Sequence, residues 1–161
     1  MKSKFFSPDS FWNQPIAPDA EADPLSDHLV GLMDERWGPI YINMVEYTIP
    51  IYSVDESTPM RRIHQRPPNP DAAGASLERQ KRYGMHPDFG PEIPIPDDAM
   101  ADPAGDSHMA LVDWERRRAW DMWWARKRPD GEWETATGMT YCLDDTGIWK
   151  TEDFPIENGE S

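Results

Sequence analysis

The sequence predicts a mainly β fold: an antiparallel β-sandwich or jelly-roll-like domain with one short N-terminal helix and long Pro-rich loops. Three observations lead there. Apolar and aromatic segments between residues 108 and 143 are separated by compact turn signals, the pattern of strands joined in series. The 17 prolines and a hydrophobic share of 38% indicate much extended or irregular backbone. Yet 8 Trp, 5 Tyr and 5 Phe supply more aromatic mass than disordered chains carry. At 161 residues the chain is expected to form a single β-rich domain over 1–161.

The opening segment Phe5-Phe6-Ser7-Pro8-Asp9-Ser10-Phe11-Trp12-Asn13-Gln14-Pro15-Ile16 reads as an extended arm that packs its rings on the domain, turning at Ser-Pro-Asp-Ser. The helix follows. Asp23 suits its cap and Pro24 its first turn, and Leu25, Leu29, Leu32 and Met33 share one face meant for a sheet. Trp37-Gly38-Pro39 stops it. From Ile40 to Val54 β-branched and aromatic residues predict strand, with a break or edge at Pro50, and a further strand covers Met60 to Gln65. The stretch Arg66 to Pro103 is a long irregular connection, with a surface turn of helix over Leu77 to Tyr83 and an extended run at Pro91–Pro96.

The end of the chain is clearest. Residues 108–114 and 119–125 flank Glu115-Arg116-Arg117-Arg118 as a hairpin, Pro129-Asp130-Gly131 turns into a strand from Glu132 to Leu143, and Asp144-Asp145-Thr146-Gly147 turns again. These strands make a meander. Pairing Trp114 with Ala119 puts Met109, Leu111, Trp120, Met122 and Trp124 on one face, with Asp113 as its polar member. That is the core face. The other carries His108, Trp114, Asp121 and Trp123 among Ala110, Val112 and Ala119, and a one-residue slip would exchange the two.

Tryptophans beside small residues, a carboxylate and an imidazole suit sugar recognition, because an indole face covers the C–H face of a pyranose while polar neighbours take its hydroxyls. Asp121 and Glu132 are the candidate catalytic carboxylates and His108 assists proton transfer. Trp114, Trp123, Tyr141 and Arg62 are the candidate substrate-binding residues, Arg62 as a partner for a uronate and Tyr141 as an alternative base. The competing reading is that such a tryptophan row packs beneath a second sheet or a partner chain.

The net charge of −14, from 30 acidic and 16 basic residues, repels phosphate backbones and anionic headgroups, so no nucleic acid and no membrane partner is expected. It also weighs against a polyanionic substrate unless a basic groove exists locally. No apolar run approaches the roughly 20 residues of a membrane span. Cys142 is the single cysteine, so neither an internal disulfide nor a cysteine metal cluster can form. No cofactor and no metal site is expected. Calcium enters only through Asp144 and Asp145 before Gly147, which lack the ligand spacing of an EF-hand. His64, His86 and His108 have no spacing that enforces a shared metal, and Arg61, Arg62 and Arg66 form a basic cluster able to bind a carboxylate.

The order of motifs is itself informative. Phe11-Trp12-Asn13-Gln14-Pro15-Ile16, His86-Pro87-Asp88-Phe89-Gly90, Ile93-Pro94-Ile95-Pro96, Asp106-Ser107-His108-Met109, Val112-Asp113, the aromatic hairpin and Asp130-Gly131-Glu132-Trp133 follow in series. Over most of the chain this resembles the N-terminal portion of a largely uncharacterised family of bacterial, commonly exported, β-rich proteins. Members often carry Arg where this chain has Ser107, and they continue into a further β-rich portion. The resemblance therefore implies a fold completed by another chain or segment, with Ser161 marking a fragment, a processed chain or one subunit. It supports export: an extracellular or periplasmic location if a signal peptide was removed before Met1-Lys2-Ser3-Lys4, and a cytoplasmic one otherwise. It lends no reaction. The expectation is a polysaccharide-active protein, of glycoside hydrolase or polysaccharide lyase type if an enzyme. The alternative is a non-catalytic subunit whose Trp-rich sheet packs against a partner.

Overall fold

The computed structural model describes residues 4–38, 42–66 and 84–148. Its strands are β1 (Ile51–Val54), β2 (Met60–Gln65), β3 (Glu92–Pro94), β4 (Met109–Asp113), β5 (Arg118–Trp123), β6 (Arg126–Lys127), β7 (Trp133–Thr135) and β8 (Thr137–Cys142). They form two four-stranded sheets, the first ordered β1-β4-β5-β8 and the second β3-β2-β7-β6. The fold is mainly β and sandwich-like, as expected. The sheets are mixed rather than purely antiparallel, since β1 runs parallel to β4 and β2 parallel to β7.

The core lies where the two inner faces meet. Met109, Leu111, Trp120 and Met122 of the first sheet pack with Ile63, Ile93 and Trp133 of the second, joined by Phe89 and Ile95. The predicted apolar face of the hairpin is thus the core face. Its register differs: Asp113 pairs with Arg118 and Leu111 with Trp120, a slip of two residues. The reason is Asp113. Its buried carboxylate accepts hydrogen bonds from the amides of Glu115 (3.1 Å) and Arg116 (2.8 Å), starting the turn one residue earlier, and Arg117 completes it at φ 55°. A two-residue slip keeps every strand side chain on its predicted face.

The strand expected from Glu132 to Leu143 is broken in two. β7 belongs to the second sheet and β8 to the first, and the chain crosses between them at Ala136. The Ala136 amide donates to the Trp123 carbonyl (3.0 Å), and Gln65 Nε2 donates to the Ala136 carbonyl (2.8 Å), pinning the crossing. β5 crosses at the same corner into β6 through Trp124, whose φ of 55° is left-handed. Sandwich corners are commonly made this way, by strands that change sheet. The turn also removes Trp124 from the core face, where alternation placed it.

Two N-terminal expectations need correction. Helix α1 spans Ser26–Trp37, entered by an Asp23 Oδ1 contact with the Leu25 amide (2.8 Å) and ended at Gly38 with φ 65°. It is not laid on a sheet: Leu25, Leu29, Leu32 and Met33 are all exposed. Of the strand predicted over 40–54, the described residues 42–54 form strand only in β1. Asn43 Oδ1 accepts from the amides of Val45 and Glu46, Tyr47 is left-handed, and buried Asp102 takes the amide and hydroxyl of Thr48, so this backbone is diverted from a ladder. The β2 and Pro91–Pro96 expectations hold, the latter containing β3. The helical turn proposed over 77–83 lies outside the described residues.

The arm packs only its first rings. Phe5 meets Trp114 edge-on with centroids 5.0 Å apart, and Phe6 sits where a side chain on Gly147 would collide with it. Asn13 closes the loop by donating to the carbonyls of Phe5 (2.8 Å) and Ser7 (2.9 Å), while Phe11 and Trp12 face solvent.

Candidate functional site on the outer face of the first sheet

Alternation along β4, β5 and β8 sends Ala110, Val112, Ala119, Asp121, Trp123, Met139 and Tyr141 to the face opposite the core. The two ends of this face differ. At one end Val112, Ala119 and Leu143 are buried beneath Trp114 and Tyr141, with Phe5 closing over Trp114. At the other end lie Asp121, Trp123 and His108, all half-buried. The fold therefore splits the predicted row: Trp114 belongs to the closed end, roughly 13 Å along the strand from the Ala110–Asp121 rank.

Asp121 is the centre of this second end. Its Oδ2 accepts a hydrogen bond from the Tyr141 hydroxyl at 3.1 Å, while its buried Oδ1 has no hydrogen-bond partner. Burial raises the carboxyl pKa above its ordinary value. The Tyr141 hydrogen bond, the positive charge available at His108 and, more weakly, the Met122 amide oppose that rise. Tyr141 is pushed strongly upward in turn, first by burial and then by the Asp121 charge, so its hydroxyl keeps its proton and acts as a donor. The His108 and Trp123 rings lie 6.4 Å apart at 38°, and Trp123 stacks on Trp124 at 4.5 Å and 19°. The pair stacks because the left-handed turn at Trp124 ends the alternation that would otherwise send neighbouring rings to opposite faces.

This arrangement can hold a proton at a carboxyl beside an aromatic surface, a general acid with a hydrogen-bonded Tyr and an imidazole within electrostatic reach. It unites His108, Asp121, Trp123 and Tyr141. It does not bring Glu132 or Arg62 to them. Glu132 pairs with His64, which points outward from the second sheet, and Arg62 lies exposed opposite Glu92 on that same outer face. Asp121 and Glu132 thus occupy opposite outer faces of the sandwich.

Two features escaped the sequence. Tyr141 borders a groove of about 580 Å³ that runs along β8 past Arg118, Thr140 and Cys142 to His86 and Asp88. Here Arg118 spans Thr140 Oγ1 and the Asp88 carbonyl and lies 5.3 Å from the Trp120 ring centroid. On the second sheet, Arg66, Arg126 and Arg128 gather around Glu134. Neither was legible, because each joins residues far apart in the chain. His86 is engaged at a local turn, its Nδ1 accepting from the Asp88 amide, and Asp144 pairs with Arg117 at 3.0 Å. Among the described residues no three His, Cys, Asp or Glu side chains are grouped to hold a metal ion, and no helix is long and apolar enough to cross a membrane.

Comparison with protein-family models, with curated proteins and with solved structures finds no match. The class of the molecule therefore rests on its own geometry: a mainly β, two-sheet domain with a half-buried acid on one outer face.

Proposed function

We propose that the protein acts on polysaccharide, with the Asp121 end of the first sheet's outer face as its glycan site. The observation that carries this reading is Asp121, a carboxyl biased toward its protonated form beside Trp123, His108 and Tyr141. A neutral carboxyl can donate a proton to a departing glycosidic oxygen. Trp123 supplies the surface for a sugar ring, and Tyr141 fixes the carboxyl's orientation. With Glu132 on the opposite face, the acid–base partnership falls to Asp121 and His108. A polymeric substrate also agrees with the export that the family resemblance implies.

The test is incubation of the whole chain with a polysaccharide panel, reading reducing ends for hydrolysis and absorbance of unsaturated sugars for elimination. A glycan array reads binding. Release or binding that Trp123→Ala abolishes supports the reading. A folded protein that neither binds nor cleaves any member refutes it.

A second reading has its own support, the uncovered apolar side of α1 formed by Leu25, Leu29, Leu32 and Met33, together with exposed Ile42, Met44 and Val45. Apolar surface in such amount marks an interaction site. In this reading the chain is a subunit whose N-terminal segment packs against another polypeptide. Sedimentation equilibrium of the isolated chain reports on it: concentration-dependent association supports it and a strictly monomeric protein counts against it.

A further inference from the structure

Glu134 stands in the middle of β7, on the outer face of the second sheet, with its side chain only 9% exposed. Three guanidinium groups from two stretches of chain surround it: Arg126 at 2.7 Å, Arg128 at 3.6 Å and Arg66 at 3.8 Å. Arg126 alone is at hydrogen-bonding distance. One good ion pair suffices to cover a buried carboxylate, and a guanidinium carries more N–H donors than a single carboxylate shared among three can engage. Arg128 spends part of its capacity on Asp130, at 3.1 Å. Glu132 also lies within electrostatic reach of Arg128, so the cluster sets three arginines against three carboxylates, and what it offers a ligand is the guanidinium edges that Glu134 and Asp130 leave unengaged.

The cluster's position gives it a direction. The Arg66 guanidinium lies over Trp124, 5.6 Å from the ring centroid, and Trp124 stacks on Trp123. Trp123 in turn neighbours His108 on the face that carries Asp121. Because β5 and β7 both change sheet at this corner, an aromatic strip connects the arginines on one sheet to the acid on the other. Arg126 is 64% exposed and Glu134 engages only its Nη2, so the rest of the guanidinium remains accessible to a ligand.

We infer that Arg66, Arg126 and Arg128 form a carboxylate-binding subsite, and that the polymer recognised here is an acidic, uronate-containing polysaccharide. This rests on the glycan reading above and names its substrate class. Planar guanidinium groups match a sugar carboxylate in geometry as well as charge. The acidity of the rest of the surface does not forbid this, since at physiological ionic strength charges farther than about 8 Å are largely screened. Glu134 is a positioning residue that holds the forks in place.

The experiment compares polygalacturonate and alginate with their esterified forms, which keep the sugar backbone and remove the charge. Binding to the whole chain is measured by affinity electrophoresis and calorimetry. Wild type is set beside Arg66→Ala and the charge-neutral pair Arg126→Gln/Glu134→Gln, each checked for an unchanged melting profile, so that one variant serves if the other unfolds. The expected result is at least about ten-fold tighter binding of an acidic polymer than of its ester, lost in the variants. Equal binding of acid and ester overturns this inference and leaves the glycan reading standing. So does a preference that survives in a folded variant. Failure of every polysaccharide to bind overturns both.

Discussion

Replacing Asp121 with Asn separates the stability of this carboxyl from its chemistry. Burial raises the Asp121 pKa in the folded protein above the ordinary 3.8. For such a group the favourable contribution to folding is complete below the unfolded pKa and is lost as pH rises through the folded one. Above the folded value, where the carboxylate is ionised, it destabilises the fold. Its Oδ1 is buried without a partner, and an unsatisfied buried acceptor costs about 1–3 kcal/mol. Asn keeps an acceptor for Tyr141 but sets an amide nitrogen in the Oδ1 position, so the lower part of that range applies. Asp121→Asn is expected to gain about 1 kcal/mol at pH 7, a rise in Tm of about 2–4 °C for a chain of this size. Asp9, Asp55, Asp102 and Asp130 all have lowered pKa values, so both proteins weaken in acid. Subtracting the two melts at each pH from 3 to 8 removes that shared loss. The difference should be positive at pH 7 and vanish below about pH 4. A variant less stable than wild type at pH 7, or a gain that is the same at pH 3, refutes the assignment of Asp121 as a desolvated acid.

Three further outcomes follow from the packing. Trp133 is 2% exposed between the sheets, so Trp133→Ala should cost about 3–5 kcal/mol in chemical denaturation, whereas half-buried Trp123→Ala should cost clearly less; equal costs would place Trp123 in the core. Leu29→Gln on the uncovered side of α1 should change stability by no more than about 0.5 kcal/mol while weakening any self-association seen in sedimentation. Asp102 is held below its ordinary pKa, first by the Thr48 side chain and also by the Ala104 and Thr48 amides. Because a lowered carboxyl stabilises above its unfolded pKa of 3.8 and ceases to do so as pH falls through the folded value, exchange protection of those amides should drop in acid. In Asp102→Ala the same amides should be unprotected at neutral pH, and unchanged protection there would disprove the tether.

How much was readable in advance depended on whether the deciding contact was local. The split of the hairpin into a core face and an outer face was legible, because alternation of side chains survives the two-residue slip that Asp113 imposes. β2 was legible because Met60–Gln65 is a short, turn-bounded segment. The shortening of β1 turned on Asp102, which reaches back to Thr48 across more than fifty residues of sequence. The sheet exchange at Ala136 turned on Gln65 and Trp123 meeting that residue from elsewhere. α1 misled for a different reason: its apolar stripe is real, but nothing in a periodicity says what covers it. The site divides in the same way. His108, Asp121 and Trp123 follow from the hairpin's alternation and Tyr141 from its register on the next strand, whereas Glu132 was grouped with them only as a carboxylate on the following strand, with no register to place it.

That broken strand is the key to how the molecule can present a site at all. Had 132–143 remained one strand of the first sheet, alternation from Tyr141 would have turned Glu132 and Glu134 toward the core face, and Glu134 would not have met Arg66, Arg126 and Arg128. The crossing at Ala136 moves both glutamates to the second sheet while Met139 and Tyr141 stay with Asp121. The companion crossing at Trp124 places a non-glycine residue in the left-handed region, a conformation that costs of order 1–3 kcal/mol. A glycine would relieve that cost but would delete the ring that stacks on Trp123 and lies beneath Arg66. Trp124→Gly is therefore expected to cost less stability than loss of a half-buried indole ordinarily does, because backbone relief offsets part of the lost packing. If the loss instead matches that of Trp133→Ala, the indole at this corner is a core residue and its strained backbone serves the fold.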